Sequence, residues 1–266
     1  MATALIFDSG VGGLSVVAEI RKRMPDLRLT YAADDIFRPY GNKSEAQLKA
    51  RLPRLLWELA EASQADIAVI ACNTASTTAL TEIRAALDIP VIGVVPAIKP
   101  AAAITKTKTI AVLGTPGTVQ RQYVDALIDD FADGCRVLLQ GSVNLVDMAE
   151  EKLEGKPVEL SWIKAELTPL FSGRHGADID AVVLACTHFP LLREELKASV
   201  TQSVQWIDSG AAIAKRVEDI VSGLGAIKMP HAGPDTALLI GPPTSAARRR
   251  TFADFGFTRV AALMPA

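Results

Sequence analysis

Cysteine is scarce in this sequence. Cys72, Cys135 and Cys186 are the only three cysteines among 266 residues, and they stand far apart in the chain. An odd number of widely spaced cysteines excludes the disulfide scaffold of a small secreted protein and is typical of the reducing cytosol. We therefore expect a cytoplasmic protein whose cysteines are free thiols.

Long apolar runs and an excess of positive charge are also missing. No stretch approaches the roughly 20 apolar residues that a bilayer-spanning helix requires, and the N-terminal sequence MATALIFDSG lacks the basic segment of a signal peptide. The formal net charge is -2, which offers no broad basic surface to a polyanion. One basic run, Arg248, Arg249 and Arg250, is interpreted as a solvated helix face. The sequence therefore predicts neither a membrane nor a nucleic-acid partner.

The rest of the chain alternates short apolar runs with helix-periodic segments. TALIF (3–7), LTYAAD (29–34), DIAVIA (66–71) and VIGVVPA (91–97) predict four buried strands with helices between them. Pro53 falls inside the second of these helices and predicts a kink or a break there. Strands that are apolar throughout and alternate with helices indicate an α/β fold, with mainly parallel sheets flanked by helices.

This pattern occurs twice. TIAVLGTPGTV (109–119) repeats the strand, Gly-rich corner and helix start of TALIFDSGVGGL, and IDAVVLACTH (179–188) repeats ADIAVIACNT. We interpret the repetition as an internal duplication that produces two pseudosymmetric α/β domains, with the active site in the cleft between them. Residues 1–96 with 208–266 are predicted to form the first domain, because an apolar strand near the C-terminus would complete its sheet. Residues 97–207 are predicted to form the second.

Polar residues and cysteines follow the predicted strands. Ligands of such folds bind beyond the carboxyl ends of the strands, where Asp8, Cys72, Thr115 and Cys186 fall. The corner DSGVGGLS partly matches a dinucleotide-binding fingerprint, but Ser15 replaces its third glycine and Asp8 would repel a pyrophosphate. Its backbone N–H groups could hold an anion as small as a carboxylate, with Asp8 as the partner of an ammonium group. A tight turn that needs glycine for its backbone is an equally good interpretation.

Cys72 and Cys186 have similar surroundings in the sequence. Each ends a predicted strand and precedes hydrogen-bonding residues at a predicted helix start. A helix N-terminus lowers the pKa of a thiol, so that the thiolate forms more readily. His188 could hold or exchange the proton of Cys186. A lone buried cysteine usually only packs, which is our interpretation of Cys135.

Four kinds of chemistry could use such thiols. A metal site would need more ligands than Cys-x-His supplies in a chain with only three histidines, so we expect no metal. A cysteine nucleophile with a histidine base would leave Cys72 without a role, and a redox disulfide would not explain the polar residues after both cysteines. Two thiols that face each other across a cleft suit two-base racemisation. There, a proton leaves one face of a carbon and another arrives at the opposite face.

Five motifs carry a resemblance to a known family. FDSGVGGLSV, ADDIFRPYGNKS, ACNTAS, GTPGTV and ACTHFPLL resemble, in order and spacing, those of glutamate racemases in the aspartate/glutamate racemase superfamily. The resemblance covers almost the whole chain. It implies an isomerase that interconverts L- and D-glutamate without a cofactor, using neither pyridoxal phosphate nor metal, and that supplies D-glutamate for peptidoglycan. We also expect a homodimer.

The same resemblance implies the roles of single residues. Cys72 would handle the proton on the D-face of the substrate and Cys186 the proton on the L-face. Asp8 and His188 would assist their respective thiols. Substrate contacts would come from Asp8, Ser9, Tyr40, Gly41, Asn73, Thr74, Thr115, Thr118, Glu150, Thr187 and His188.

One segment departs from the family pattern. Where relatives commonly carry a Cys-Pro-x-Leu-Val-Pro type sequence ending in Glu, this chain has GSVNLVDMAEEK. Ser142, Val143 and Asp147 stand at the Cys and Pro places, and Glu150 keeps the acid. The sequence also begins at its first strand, without the N-terminal extension of racemases that a cell-wall nucleotide precursor activates. We therefore expect no strong dependence on that activator.

Three alternatives stay open. The chain could racemise another acidic amino acid such as aspartate, although Tyr40, Gly41 and the full DSGVGGLS motif favour glutamate through the resemblance. It could be a catalytically silent amino-acid-binding regulator, which would bind without turnover. It could also be a cysteine hydrolase, for which replacing Cys72 with serine would leave turnover largely intact.

Overall fold

The computed structural model describes residues 2–224, 233–242 and 244–263. Its strands are β1 (Thr3–Asp8), β2 (Arg28–Ala33), β3 (Ile67–Ile70), β4 (Val91–Gly93), β5 (Thr109–Gly114), β6 (Arg136–Gly141), β7 (Ala181–Ala185), β8 (Gln205–Ile207), β9 (Thr236–Ile240) and β10 (Arg259–Leu263). Its α-helices are α1 (Leu14–Arg23), α2 (Glu45–Ser63), α3 (Asn73–Ala86), α4 (Ile98–Ile104), α5 (Pro116–Val119), α6 (Gln122–Phe131), α7 (Asn144–Leu153), α8 (Leu160–Phe171), α9 (Arg193–Ala198), α10 (Gly210–Gly223) and α11 (Ala246–Asp254). None of these described helices is long and apolar enough to cross a bilayer.

The described strands form two sheets in which every pair is parallel. The first sheet has the order β10-β9-β2-β1-β3-β4 and the second the order β6-β5-β7-β8. The order β2-β1-β3-β4 is thus repeated as β6-β5-β7-β8, as an internal duplication predicts. β9 joins the first sheet beside β2, as expected for the apolar strand near the C-terminus. The α/β fold with parallel sheets that the sequence predicts is confirmed.

Each sheet is buried on both faces because its central strands are apolar at consecutive positions. In β1, Ala4 and Ile6 pack into the core on one face, and Leu5 and Phe7 pack into the core on the other. Successive side chains of a strand point to opposite faces of its sheet, so a strand covered on both sides has no polar position. Burial contributes about 1.5–3 kcal/mol for each large apolar side chain. Each strand therefore ends where the run of buried apolar side chains ends, and its polar corner begins there.

Helix α2 contains Pro53 without breaking. It runs unbroken over the 19 residues Glu45–Ser63, so Pro53 does not break it, and the kink predicted as the other outcome stays a prediction. Ser44 and Gln47 form a capping box at its N-terminus, and a stripe of leucines packs against the first sheet. Burial of this stripe outweighs the cost of a proline inside a helix, which is about 3 kcal/mol.

Sheet membership divides the chain into three stretches. Strands β1 to β4, β9 and β10 of the first sheet fall within residues 1–96 and 208–266. Strands β5 to β8 of the second sheet fall within residues 97–207. The chain boundaries of the two domains stay a prediction.

Candidate active site

The carboxyl ends of the central strands in both sheets border one small cavity of about 30 Å³. Its lining comprises Ser9, Pro39, Tyr40, Gly41, Asn42, Cys72, Asn73, Thr74, Thr115, Val143, Val146, Cys186, Thr187 and His188. Three further predicted residues, Asp8, Thr118 and Glu150, hydrogen-bond to lining residues. The structure therefore brings the predicted set together. It adds Pro39, Asn42, Val143 and Val146, which sequence reasoning missed.

Cys72 is a buried thiol at the N-terminus of α3, with 5% of its surface exposed. Its Sγ donates to Ser9 Oγ at 3.9 Å. Burial raises the pKa of this thiol far above its usual range, and the Asp8 carboxylate raises it further. A hydrogen bond from the Ala75 backbone N–H lowers it but is outweighed. The expectation that the helix N-terminus would lower the pKa of Cys72 is therefore wrong, because burial and a neighbouring negative charge act more strongly.

Cys186 faces a histidine instead of a carboxylate. Its Sγ lies 3.8 Å from His188 Nδ1, and His188 Nε2 lies 2.9 Å from Glu150 Oε1. Burial alone would lower the pKa of His188, but its contacts with Cys186 and Glu150 outweigh burial and raise this pKa well above its ordinary value. The helix predicted directly after Cys186 is a short 3₁₀ turn, Phe189–Leu192, so the N-terminus of an α-helix does not face this thiol.

The Gly-rich corner between β1 and α1 binds carboxylates of the protein itself. The Gly10 N–H donates to Asp8 Oδ1 at 2.6 Å, and the Val11 N–H donates to Glu150 Oε1 at 3.2 Å. Thr187 Oγ1 donates to the other Asp8 oxygen at 3.0 Å. Burial raises the pKa of Asp8, although nearby positive charge and these hydrogen bonds act to lower it. The anion site predicted at this corner is thus partly filled by a side chain from the second half of the molecule.

Glycine is required at this corner because side chains of the second half come too close for a Cβ, and not because of the backbone conformation. A Cβ on Gly12 would lie 2.3 Å from His188 Nδ1 and 2.7 Å from Thr187 Oγ1. A Cβ on Gly10 would lie 2.5 Å from Glu150 Oε1. Neither glycine has a left-handed φ. The corner is therefore a contact surface between the two halves of the molecule, and a left-handed backbone is not the reason for its glycines.

Three threonine hydroxyls meet on the other side of the cavity. Thr74 Oγ1 lies 3.3 Å from Thr115 Oγ1 and 3.1 Å from Thr118 Oγ1, and the latter two are 3.0 Å apart. Beside them, the buried Oδ1 of Asn73 has no hydrogen-bond partner among the described residues. An unpaired buried polar atom costs about 1–3 kcal/mol, so this cluster is suited to the polar groups of a ligand. Within the described ranges, no group of three or more His, Cys, Asp or Glu residues could hold a metal ion.

Tyr40 lines the cavity, but its hydroxyl is engaged elsewhere. Tyr40 Oη donates to Asp34 Oδ2 at 2.6 Å, and Arg51 donates to both oxygens of Asp34 at 2.6 and 2.7 Å. Burial and the Asp34 charge raise the pKa of Tyr40 well above its ordinary value. The predicted contact of Tyr40 with a ligand is therefore limited to its ring and backbone. The Asp34–Arg51 pair was missed, because the two residues are 17 positions apart and the local sequence gives no sign of their contact.

Arg248 contradicts the interpretation of its basic run as a solvated helix face. Its side chain is 6% exposed and pairs with Glu150 and Asp35, whereas Arg249 and Arg250 are exposed as expected. Burial would raise the pKa of Glu150, but His188, Arg248 and Arg38 together lower it far below its usual range. A run of three identical residues gives no sign of which one is buried.

Relatives of known identity agree with this geometry. Residues 14–217 match the Asp/Glu/Hydantoin racemase family. The glutamate racemase of Vibrio cholerae serotype O1 is 50% identical over 217 residues, which are 82% of this chain and 80% of that protein. The solved structure of Escherichia coli glutamate racemase in complex with L-glutamate and the activator UDP-MurNAc-Ala superposes with a TM-score of 0.91. It is 41% identical and the match covers 99% of this chain and 98% of that chain. Glutamate racemase isoform RacE1 of Bacillus anthracis superposes with a TM-score of 0.80 at 28% identity, over 100% and 97% of the two chains.

The structural similarity extends over 99% of this chain, and therefore over both sheets and the corners that form the cavity, whereas the family match begins after the corner between β1 and α1. The structural similarity therefore covers both halves of the candidate site and not a single domain. The resemblance on which the sequence-based expectations rested is confirmed. This chain belongs to the Asp/Glu/Hydantoin racemase family, among its glutamate racemases.

Proposed function

We propose that this chain interconverts L- and D-glutamate by two-base proton transfer at Cα, with Cys72 and Cys186 as the bases. One observation carries the proposal: two buried thiols, at corresponding strand ends of different sheets, line a single cavity. The similarity to glutamate racemases supports glutamate as the substrate. The D-glutamate formed would serve peptidoglycan synthesis.

The surroundings of the two thiols support an order of events. Burial and Asp8 favour the neutral thiol of Cys72. The pKa of His188 is raised, and its Nδ1 lies 3.8 Å from Cys186 Sγ, so this imidazole is placed to hold the proton of that thiol. In that state, Cys186 would take the Cα proton of L-glutamate while Cys72 gives its own proton to the opposite face, which yields D-glutamate. The reverse reaction uses the opposite charge state, in which Cys72 is the thiolate and Cys186 the thiol.

Loss of the Cα proton delocalises negative charge into the α-carboxylate, and this charge needs preorganised donors. The hydroxyls of Thr74, Thr115 and Thr118 and the N-terminus of α3 can supply them. Asn73 Oδ1, without a partner among the described residues, can accept from the substrate ammonium group. The site would thus bind an acidic amino acid through short polar groups and would need no arginine in direct contact with it.

The cavity is too small for glutamate as it stands. A volume of about 30 Å³ holds no more than a water or two, whereas pockets for small ligands measure about 300–1,000 Å³. Substrate entry therefore requires the two halves to separate at this cleft and then to close around the amino acid. Closure would exclude water from Cα and set the thiols on its opposite faces.

The proposal is tested by circular dichroism of the purified protein with each enantiomer, in the presence of hydroxylamine to trap any pyridoxal phosphate. Cys72→Ala and Cys186→Ala are each expected to lower racemisation of both enantiomers by about 10²–10⁴-fold or more, because each removes a general acid–base group. Cys135→Ala is the matched control, since this partly exposed cysteine lies outside the cavity and should keep wild-type turnover. Near-normal turnover in either of the first two variants would contradict the two-base assignment.

The same assay separates the alternatives. A racemase of another acidic amino acid would turn over L-aspartate with the higher kcat/KM. A silent regulator would bind glutamate, shown by calorimetry, without changing its optical rotation. A cysteine hydrolase would keep its turnover in Cys72→Ser, whereas a two-base racemase would lose it.

A further inference from the structure

We propose that Arg248 is a positioning residue of this reaction, which holds the Glu150 carboxylate so that His188 stays in register with the Cys186 thiol. The inference rests on the proposed function, since it gives Arg248 a task in the Cys186 half of the two-base transfer. Arg248 lies in α11, beside the first sheet, and its guanidinium hydrogen-bonds to Glu150 and Asp35, which are not part of the cavity lining.

Burial and pairing single out Arg248 from its neighbours. Its Nη1 contacts Glu150 Oε2, and its Nη2 donates to Asp35 Oδ1 at 2.5 Å. A buried guanidinium is strongly unfavourable unless its charge is paired and hydrogen-bonded, and here both partners are carboxylates. Arg249 and Arg250 extend from the same helix into solvent. The position of Arg248 is therefore specific.

The two oxygens of Glu150 have separate partners. Oε1 lies 2.9 Å from His188 Nε2 and accepts from a backbone N–H of the Gly-rich corner at 3.2 Å. Oε2 contacts Arg248 and lies 3.3 Å from Arg38 Nη1. Because the buried arginine occupies Oε2, the carboxylate cannot rotate away from the imidazole. The ring of His188 then keeps Nδ1 at 3.8 Å from Cys186 Sγ.

The chain of contacts from Arg248 through Glu150 and His188 leads to Cys186 and not to Cys72. Asp8, the carboxylate beside Cys72, pairs with no arginine or lysine in the part of the chain that the structure describes, and its partners are Gly10 and Thr187. The Arg248–Glu150 pair also joins α11 of the first half to α7 of the second. Loss of Arg248 should therefore slow proton transfer at Cys186 and leave transfer at Cys72 nearly unchanged.

The test uses glutamate deuterated at Cα and compares primary isotope effects for the two enantiomers. L- and D-glutamate have equal free energy, so any variant lowers kcat/KM equally in both directions and rates alone cannot reveal the side affected. By the proposed assignment, Cys186 removes the label from L-glutamate and Cys72 removes it from D-glutamate. A slower Cys186 step would raise the isotope effect with the L-enantiomer and lower it with the D-enantiomer.

The expected result is a one-sided change in Arg248→Gln. Its kcat/KM should fall on the order of 10- to 100-fold, the effect of misplacing a reacting group by about 1 Å, with the opposite shifts of the two isotope effects described above. Arg248→Lys keeps the charge but not the fork that binds two carboxylates, so a smaller fall is expected. If Arg248→Gln does not fold, the same isotope effects are measured on Arg248→Lys. Arg249→Gln, from the exposed face of the same helix, should match the wild type.

Two results would overturn the positioning role. One is an Arg248→Gln enzyme as fast as Arg249→Gln. The other is a slow enzyme whose two isotope effects move together, which would indicate general structural damage. If the wild-type protein itself does not racemise glutamate, the proposed function has failed, and that outcome is distinct because it is independent of either arginine variant.

Discussion

Cys72 and Cys186 occupy matching positions at the ends of β3 and β7, yet their nearest ionisable neighbours carry opposite charges. Asp8 stands beside the first thiol and His188 beside the second. The duplication explains why the thiols correspond, and the neighbouring groups explain how Cys72 is kept neutral while His188 is placed to hold the proton of Cys186. At the residue scale, single side chains thus make the two proposed bases different on an otherwise repeated frame.

Gly12 shows how little space separates the two halves. Gly12→Ala should place a methyl group 2.3 Å from His188 Nδ1 and displace that ring. We expect a loss of about 1–3 kcal/mol in the free energy of unfolding from overpacking and a large loss of racemisation. Gly223→Ala is the control, because a Cβ there meets nothing within 4 Å. It should be neutral or stabilising by up to about 1 kcal/mol. Wild-type activity in Gly12→Ala would contradict this geometry.

The raised pKa of His188 predicts that the free energy of unfolding depends on pH. Its pKa in the folded protein is raised well above its ordinary value, so its charge stabilises the fold fully below the unfolded pKa of about 6.5. That contribution is lost as the pH rises through the folded pKa. Urea unfolding should therefore show the largest difference between wild type and His188→Asn, about 1.5–3 kcal/mol, at low pH. A difference that grows with rising pH would rule out a stabilised imidazolium.

At the scale of elements, the 3₁₀ turn Tyr40–Asn42 of the first half meets α5 of the second half at the mouth of the cavity. A Cβ on Gly117 would lie 2.5 Å from the carbonyl oxygen of Gly41, a backbone atom that cannot move aside by rotation of a side chain. Gly117 is the glycine that this contact requires, because a Cβ on Gly41 would come no closer than 3.1 Å to a side-chain atom of Thr115. Added volume at Gly117 would push the 3₁₀ turn and α5 apart.

Gly117→Ala should therefore hinder closure without disturbing either sheet. We expect a rise in KM of about tenfold or more, which corresponds to about 1.4 kcal/mol lost from the closed form. The melting temperature of the ligand-free protein should change little. Steady-state kinetics in both directions measure the effect, with Gly223→Ala again as the control glycine of a helix. An unchanged KM would show that closure does not depend on the close contact between the 3₁₀ turn and α5.

The elements themselves were largely predictable, because buried strands of a parallel sheet are apolar without interruption and their polar corners follow at once. The sequence predicted β1 to β4 and the corners that hold Cys72 and Cys186. It failed where a tertiary contact decides the outcome. Packing of a leucine stripe keeps α2 continuous through Pro53, and two carboxylates from distant segments bury Arg248. The sequence next to Pro53 or Arg248 gives no sign of either contact.

At the scale of the whole molecule, the duplicated sheets place two reactive corners around one cavity of about 30 Å³. If the proposed function is correct, this closed arrangement must open for each turnover, because a cavity of this size does not hold glutamate. The homodimer and the cytoplasmic location stay predictions. The central claim is narrower: the two thiols act on opposite faces of the same carbon.

The most direct measurement of that claim is racemisation of L-glutamate in D2O, stopped at a few per cent conversion and analysed by mass for each enantiomer. The account predicts that D-glutamate carries one deuterium at Cα from the solvent-exchanged Cys72 thiol, whereas the remaining L-glutamate keeps its protium. A single base that removes and returns the same proton would instead give protium in the product, or deuterium in both enantiomers. Either pattern would contradict the placement of two thiols on opposite faces.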